Sequence, residues 1–587
     1  MPQLGLVQQE IPRFLGVNLR EERMDLADEE LAKSINADLN SQPGSIILRL
    51  GRTKKYTTAT TDSIIRRVAI ANAKLYEIAG QKIYRDQILL TDPSSVGLSG
   101  NNVTLLLPYK PLNDGTIWLF ISDDAVSRKD DGTNLRKWGI TAPSAAPTLA
   151  VGTATGLTGA YKAIYTYARM SGTSVAHESN PSPKPSATTL SNEKLNIAVV
   201  ASTDGQVGKI RIYRTRASGN DYLFDQAVDN TTATIVSSQA DTALGVLVED
   251  DNDVPPLASW AMENDGYFFF VKDATNPQYL WWSKRFRPES VPSTNFLRVG
   301  SAEDALQCIL PVGAAGLSDV VGTMGLFTKR TKYVVSQDAI SGFRADEALS
   351  HRGTPSPLAA ITTENGIIFV AKDGVFATNL FQADQQFADK ILPLFNGEAV
   401  NGMNAINWAA ANTIVAGVYK NRYYLSYPSG SAVVPNVMAI YSADTKRWYF
   451  YDHTISSLYL DEGENDLLGG AQDGFVYILE DGSTDGGSNI SLDVQTKDYF
   501  GQERFTKKLY RYLKVDCDPD GDTLTANVYI DGILKRAVSI TGSRFRRIFP
   551  LPEKTMGSSW RVAFAYTGSK RPRIYGIAML YLPLGAA

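Results

Sequence analysis

The sequence predicts an all-β chain: an irregular β-propeller with an inserted immunoglobulin- or fibronectin-like sandwich, ending in a β-sandwich-like segment. Three observations carry that prediction. The 587 residues include 28 Tyr, 22 Phe and 47 Gly, residues that suit a pleated, half-buried surface or punctuate turns. Short apolar runs alternate with turn signals along most of the length. An acidic or Asn residue, then Gly, then an apolar strand recurs in "NDGYFFFV" from Asn264, "ENGIIFVA" from Glu364, "KDGVFATN" from Lys372 and "QDGFVYIL" from Gln472. Asn-Gly and Asp-Gly are the strongest short hairpin signals.

The length exceeds one ordinary core, and turn-rich joints divide it. Residues 1–56 read as an N-terminal helix and a leading strand. Asp28 is placed to cap a helix with Leu31 and Ile35 on one face and Glu29 and Glu30 at its dipole-positive end. "NSQPGS" then turns the chain into the strand "IILRL". Residues 57–140 read as the first propeller blades, with a hairpin about Gly80 in "KLYEIAGQKIYR" and a strand buried on both faces in "GTIWLFIS".

The Pro-marked joints "TAPSAAPTLA" and "DDNDVPPLA" bound the inserted sandwich, residues 141–257, where "KIRIYRT" alternates as a sandwich strand does. Within it, "SGTSVAHESNPSPKPSATT" reads as an exposed polar loop with a solvated His177. Residues 258–505 supply the remaining blades. Together with 57–140 they give about seven, at the ~40–50 residues of a propeller blade. Residues 506–587 read as a separate C-terminal β domain.

The net charge of −4 is too even for a surface built throughout to grip phosphates. From Glu503 to Arg573, however, 15 basic side chains face 7 acidic ones, so the two ends are expected to meet different partners. Cys308 and Cys517 stand far apart without a CxxC pair, which supports neither a disulfide framework nor a zinc site and suits a reducing place of assembly. The first 16 residues lack the basic and apolar regions of a secretory signal. No apolar run approaches the ~18 residues of a membrane span.

Catalytic motifs are missing from the sequence. Its three histidines, His177, His351 and His453, form no HExxH or HxH pair, and neither GxSxG nor GxxxxGK[ST] occurs. The expectation is a chain that is not an enzyme, with no catalytic residue and no cofactor. Asp516, Asp518, Asp520 and Gly521 open like a calcium loop, but Asn527 stands at the twelfth position, where a bidentate Glu is needed. The stretch "DPDGD" therefore reads as a hairpin turn ahead of a metal site. Arg544 and Arg546 share one strand face, either solvated or set against an acidic partner or DNA. Trp281 and Trp282 of "WWSKRFRPES" are expected to pack between blades.

The opening stretch, "GVNLREERMDLADEELAKSINADL…SIILRLGRTKKY", resembles the start of tail nozzle proteins of short-tailed bacteriophages, also called tail tubular protein B or packaged-DNA stabilisation proteins. The resemblance rests on Gly16, Asn18, Leu26, Glu30, Leu31, Asn36, Leu48 and Arg49. The order Leu50-Gly51-Arg52 departs from the family's commoner R-x-G. "HESNPSPKPS" and "KIRIYRTRASGNDYLF" are similar to the inserted immunoglobulin-like module of phage virion proteins.

The resemblance implies a structural virion protein in a ring, a hexamer, below the portal and adaptor. Such a ring extends the DNA channel, retains packaged DNA and lets it exit at infection. Its partners would be further copies of itself, the adaptor or head-tail connector, tail fibres or spikes, and passing double-stranded DNA without sequence specificity. Assembly would take place in the host cytoplasm, with no membrane span. Leu31 and Ile35, with Arg544 and Arg546, are the interface candidates. The alternative is a glycan-binding or glycan-hydrolysing propeller of tailspike or sialidase type, although the sialidase turn motif S-x-D-x-G-x-T-W is missing from this sequence. A weaker third reading, a calcium-dependent adhesin, hangs on the Asp-rich turn alone.

Overall fold

The computed structural model describes residues 5–90, 97–100, 103–312, 323–338, 342–501 and 503–584. Seven four-stranded antiparallel blades are seen among them: 65–89, 105–137, 258–298, 306–347, 360–386, 415–451 and 455–479, the last completed by Arg52–Lys54. The innermost strands of successive blades pack side by side, and Ile65–Ala71 of blade 1 packs on Ile455–Asp461 of blade 7, so the ring is closed. Each Asx-Gly turn read from the sequence joins neighbouring strands of one blade, with Gly266, Gly366, Gly374 and Gly474 all at positive φ. Trp281 and Trp282 sit on opposite faces of blade 3, one packed toward blade 2 and the other toward blade 4.

Between blades 2 and 3 the chain leaves the ring. It builds a three-stranded sheet (Thr148–Tyr161, Thr188–Val199, Ala233–Ser237) against a four-stranded one (Ser174–Glu178, Ala163–Ser171, Lys209–Arg214, Leu223–Asp229). Alternate residues of the two sheets, among them Tyr165, Leu195, Ile197, Ile210 and Ile212, share one buried cluster.

Three sequence expectations need correction. The predicted helix capped by Asp28 is a strand, Leu31–Ile35, held antiparallel to Ile490–Thr496 on one side and parallel to Arg447–Tyr451 of blade 6 on the other. Leu and Ile four residues apart fit a helix face and a strand face alike. The choice falls to the tertiary context, because Leu31, Ala32 and Ser34 are all buried and an amphipathic helix would leave one side to water.

The C-terminal segment is not a separate sandwich either. Its seven-stranded sheet takes three strands from the N-terminus, Val7–Ile11, Ala37–Asp38 and Ile46–Leu48. Its second sheet continues through Leu31–Ile35 into blade 6 as one nine-stranded sheet. Finally, "DPDGD" is not a hairpin turn: Lys508–Asp518 and Thr523–Ile530 lie in different sheets, so the turn carries the chain across the sandwich.

The N-terminal strands thus close the ring and found the sandwich, and the closure centres on Arg49. Its side chain is fully buried. Both terminal nitrogens reach Asp485, at 2.8 and 2.6 Å, one also reaches Asp452 at 3.0 Å, and Nε donates to Asn36 Oδ1 at 2.8 Å. Burial opposes the charge, but the two carboxylates outweigh it and raise the pKa of the guanidinium. Beside it, a Cβ on Gly51 would lie 2.1 Å from the Thr484 carbonyl oxygen, so only glycine lets Arg52–Lys54 reach blade 7.

Removing the cation leaves two carboxylates unpaired at this joint. Arg49→Met is therefore expected to cost about 3–5 kcal/mol, read as a lower urea midpoint. Lys535→Met on an exposed edge should change stability by less than ~0.5 kcal/mol. Equal effects from the two substitutions would strip the Arg49 joint of its role.

Candidate functional site

Every position carrying the N-terminal resemblance lies inside this closure. Leu26, Leu31, Leu48, Asn18, Asn36, Arg49 and Glu30 are all buried. Asn18 Nδ2 donates to Glu30 Oε2 at 2.7 Å, and a Cβ on Gly16 would meet the Arg447 Cβ at 2.6 Å. The acidic residue read as a helix-dipole partner, Glu30, instead fixes a loop. Leu31 and the partly buried Ile35 pack into the main core, so they clip the chain to itself and offer no outer surface.

The Asp-rich turn behaves as turn chemistry. Asp518 Oδ1 accepts from the Asp520 amide at 3.0 Å, Asp520 accepts from the Arg571 amide at 3.0 Å, and Asp516 pairs with Arg546 Nε at 3.1 Å. Arg544 lies over the Tyr575 ring, 4.4 Å from its centroid, and Arg546 is largely exposed despite its pairing. Among the described residues one cluster has ligand atoms close enough for a cation: Asp452, His453 and Asp485, within 4.8 Å of one another. Both of its carboxylates already hold Arg49, and burial together with Arg49 and Arg52 keeps His453 neutral. A guanidinium occupies the electrostatic role a metal would take there.

His177 is not solvated. It lies buried in strand Ser174–Glu178, facing the joint where the inserted sandwich meets blades 2 and 3. There Arg169 of the sandwich pairs with Asp114 at 2.5 Å and with Glu289, while Lys129 pairs with Glu289 at 2.5 Å. Both cations lie over the Trp118 ring, at 4.5 and 5.0 Å from its centroid. Lys129 and Arg169 outweigh burial and hold Glu289 ionised, well below the usual carboxylate range. Burial pushes His177 down to about 4. This is a buried ion-pair network, whose chemistry is to orient one module on another.

The axis of the ring offers a different surface. Two adjoining cavities of about 300 and 620 Å³ open there, sharing Lys272 and Asn412 in their walls. The larger is lined by Lys272, Lys329 and Lys372 with Trp408, Ala409 and Pro355. Sequence reading missed these lysines, although a signal existed: "FFFVKD", "LFTKR" and "FVAKD" each place Lys at the end of an apolar strand. Each is the second strand of its blade, in blades 3, 4 and 5.

No protein-family model matches the sequence, and no curated protein matches it. Distant likenesses are found among solved structures. An exo-β-1,3-galactanase from Phanerochaete chrysosporium is 8% identical over 54% of this chain and 94% of its own, at a TM-score of 0.21. PorZ, a surface component of the type-IX secretion system of Porphyromonas gingivalis, is 8% identical over 95% of this chain and 100% of its own, at a TM-score of 0.24. A further glycoside hydrolase is 10% identical over 88% and 97%, at a TM-score of 0.15. With glycoside hydrolases among these neighbours, the expectation that the chain is not an enzyme is not kept. At these TM-scores they assign it no reaction.

Outside the cavities, Glu77 in the second strand of blade 1 is buried with neither carboxylate oxygen hydrogen-bonded. Burial, then Asp86, raises it from 4.5 to about 7. Folding therefore takes up a proton between those values, and stability falls as pH rises through that window. His177 acts oppositely: unfolded it binds a proton near 6.5, folded near 4, so its contribution is lost as pH falls. Glu77→Gln is expected to stabilise the chain by about 3 kcal/mol at pH 8 and to leave it unchanged near pH 4, measured by urea unfolding at both pH values. Equal effects at the two would show that Glu77 does not titrate as its burial requires.

Proposed function

We propose that this chain is a structural subunit of the tail nozzle of a short-tailed bacteriophage, one of a ring that continues the DNA channel and attaches fibres or spikes. The observation that carries the reading is the burial, in one closure, of every residue on which the N-terminal resemblance rests. Residues used this way specify an architecture, and the architecture they build is a propeller bearing an inserted sandwich. Six copies would meet head to tail, since only heterologous contacts that close make a ring of this kind.

The contact surface follows from the sheet ends. Ile533–Thr541 ends the nine-stranded sheet and Phe545–Pro550 ends the seven-stranded one. Ile533, Leu534 and Ile548 are exposed on them beside the exposed cations Lys535, Arg546 and Arg547. Open edges of this composition favour a partner of acidic surface.

Negative-stain imaging of the purified chain, alone and mixed with tail-deficient virions, tests the proposal. Rings, or density added to the tail, are the expected outcome, and Leu534→Asp with Ile548→Asp should abolish either without lowering the melting temperature. A monomer that never joins a tail would sink the reading.

A second reading, a propeller that binds or cleaves glycan, is favoured by the axial cavity, where Trp408 lies among polar side chains that suit a sugar. Release of reducing ends from host polysaccharide, lost on substitution of one carboxylate, would support cleavage over binding alone.

A further inference from the structure

Lys272, Lys329 and Lys372 occupy corresponding places in three consecutive blades. Lys272 is the last but one residue of strand Tyr267–Asp273, Lys329 follows Met324–Thr328, and Lys372 follows Gly366–Ala371. The ring therefore sets their spacing, and all three line one cavity of about 620 Å³ at the face where the innermost strands begin.

The arrangement is unfavourable as it stands. Lys329 and Lys372 form no ion pair among the described residues. Among the described residues Lys272 Nζ has one hydrogen bond, to Oε1 of the buried Gln307 at 3.1 Å, and Asp124 of blade 2 is the carboxylate that acts on it. Burial, then repulsion from Lys329, lowers Lys272 to about 8. Its backbone is held at φ +60, a left-handed conformation costly for a side chain with a Cβ, and such strain gathers at ligand clamps. An anion among the three ammonium groups would relieve the repulsion and supply the missing acceptors.

The rest of the lining narrows the ligand. Trp408, Pro355, Ala409 and Ala411 add an apolar, partly aromatic wall, and Asn412 a side-chain amide. A nucleic-acid duplex, whose major groove alone is about 12 Å wide, does not fit this volume. A sugar ring bearing a charged substituent does.

We propose that this axial cavity binds an acidic saccharide, its carboxylate held by Lys272, Lys329 and Lys372 and its ring set against Trp408. The inference rests on the glycan reading for the sugar but not for the anion.

Isothermal titration of the full chain with trigalacturonate, with neutral maltotriose and with inorganic phosphate separates the parts. Trigalacturonate is expected to bind more weakly as salt rises, and maltotriose not to bind. The exposed pair Lys329→Gln and Lys372→Gln should cost about tenfold in affinity per lysine at an unchanged melting temperature. Trp408→Ala should weaken trigalacturonate and spare phosphate. Equal binding of maltotriose would overturn the inference and leave the glycan reading standing. Phosphate binding without trigalacturonate would overturn the saccharide, and binding of none of the three would overturn both.

Discussion

A ring folded from one chain must join its own ends, and here the joint is made on a buried guanidinium. Arg49 lies on the segment that leads into the last strand of blade 7, and its two carboxylate partners stand 403 and 436 residues further along the chain. An unpaired charge in that place costs several kcal/mol, so the closed ring is favoured over any arrangement in which these segments part. The same segment supplies the strand between blade 6 and the C-terminal sandwich. Three modules therefore share one electrostatic condition. Pairings across more than 400 residues are also the last to be rewarded during folding, because the loop entropy is lost before they form.

What the sequence made legible was whatever local chemistry decides. The Asx-Gly turns identified four hairpins because left-handed backbone there needs glycine, and "GTIWLFIS" gave a strand buried throughout, Trp118–Ser122. Fold class and blade repeat followed. What stayed hidden depends on partners far along the chain. Leu31 and Ile35 satisfy two periodicities, and only the flanking strands choose between them. His177 sits in a polar stretch, yet Arg169, Lys129 and Glu289 from three separate segments bury it. Arg49 did leave a trace, as the one charge within the apolar run "IILRL"; a cation in such a run implies a buried acidic partner.

The inserted sandwich shows a second use of buried charge. Its joint with blades 2 and 3 pairs Arg169 and Lys129 with Asp114 and Glu289 around Trp118. Apolar residues of equal volume would hold the modules at least as tightly, since desolvation offsets much of the Coulombic gain. Ion pairs with fixed donors and acceptors do what apolar contact does not: they accept one orientation and penalise its neighbours. For a module projecting from a ring, orientation decides what its outer strands can meet.

The axial lysines depend on the same closure from the opposite side of the ring. Corresponding residues of adjacent blades keep their separation only while the blades keep their tilt, and a seven-bladed ring holds its tilt only while blades 7 and 1 stay packed. Protein interiors are close-packed and pass strain onward instead of absorbing it. A gap at the Arg49 joint would let the blades spread, widen the lysine triangle and weaken its hold on one anion. The Arg49 joint and the three lysines belong to different blades, but they answer to one geometric constraint, so stability at the rim and chemistry at the centre cannot vary independently.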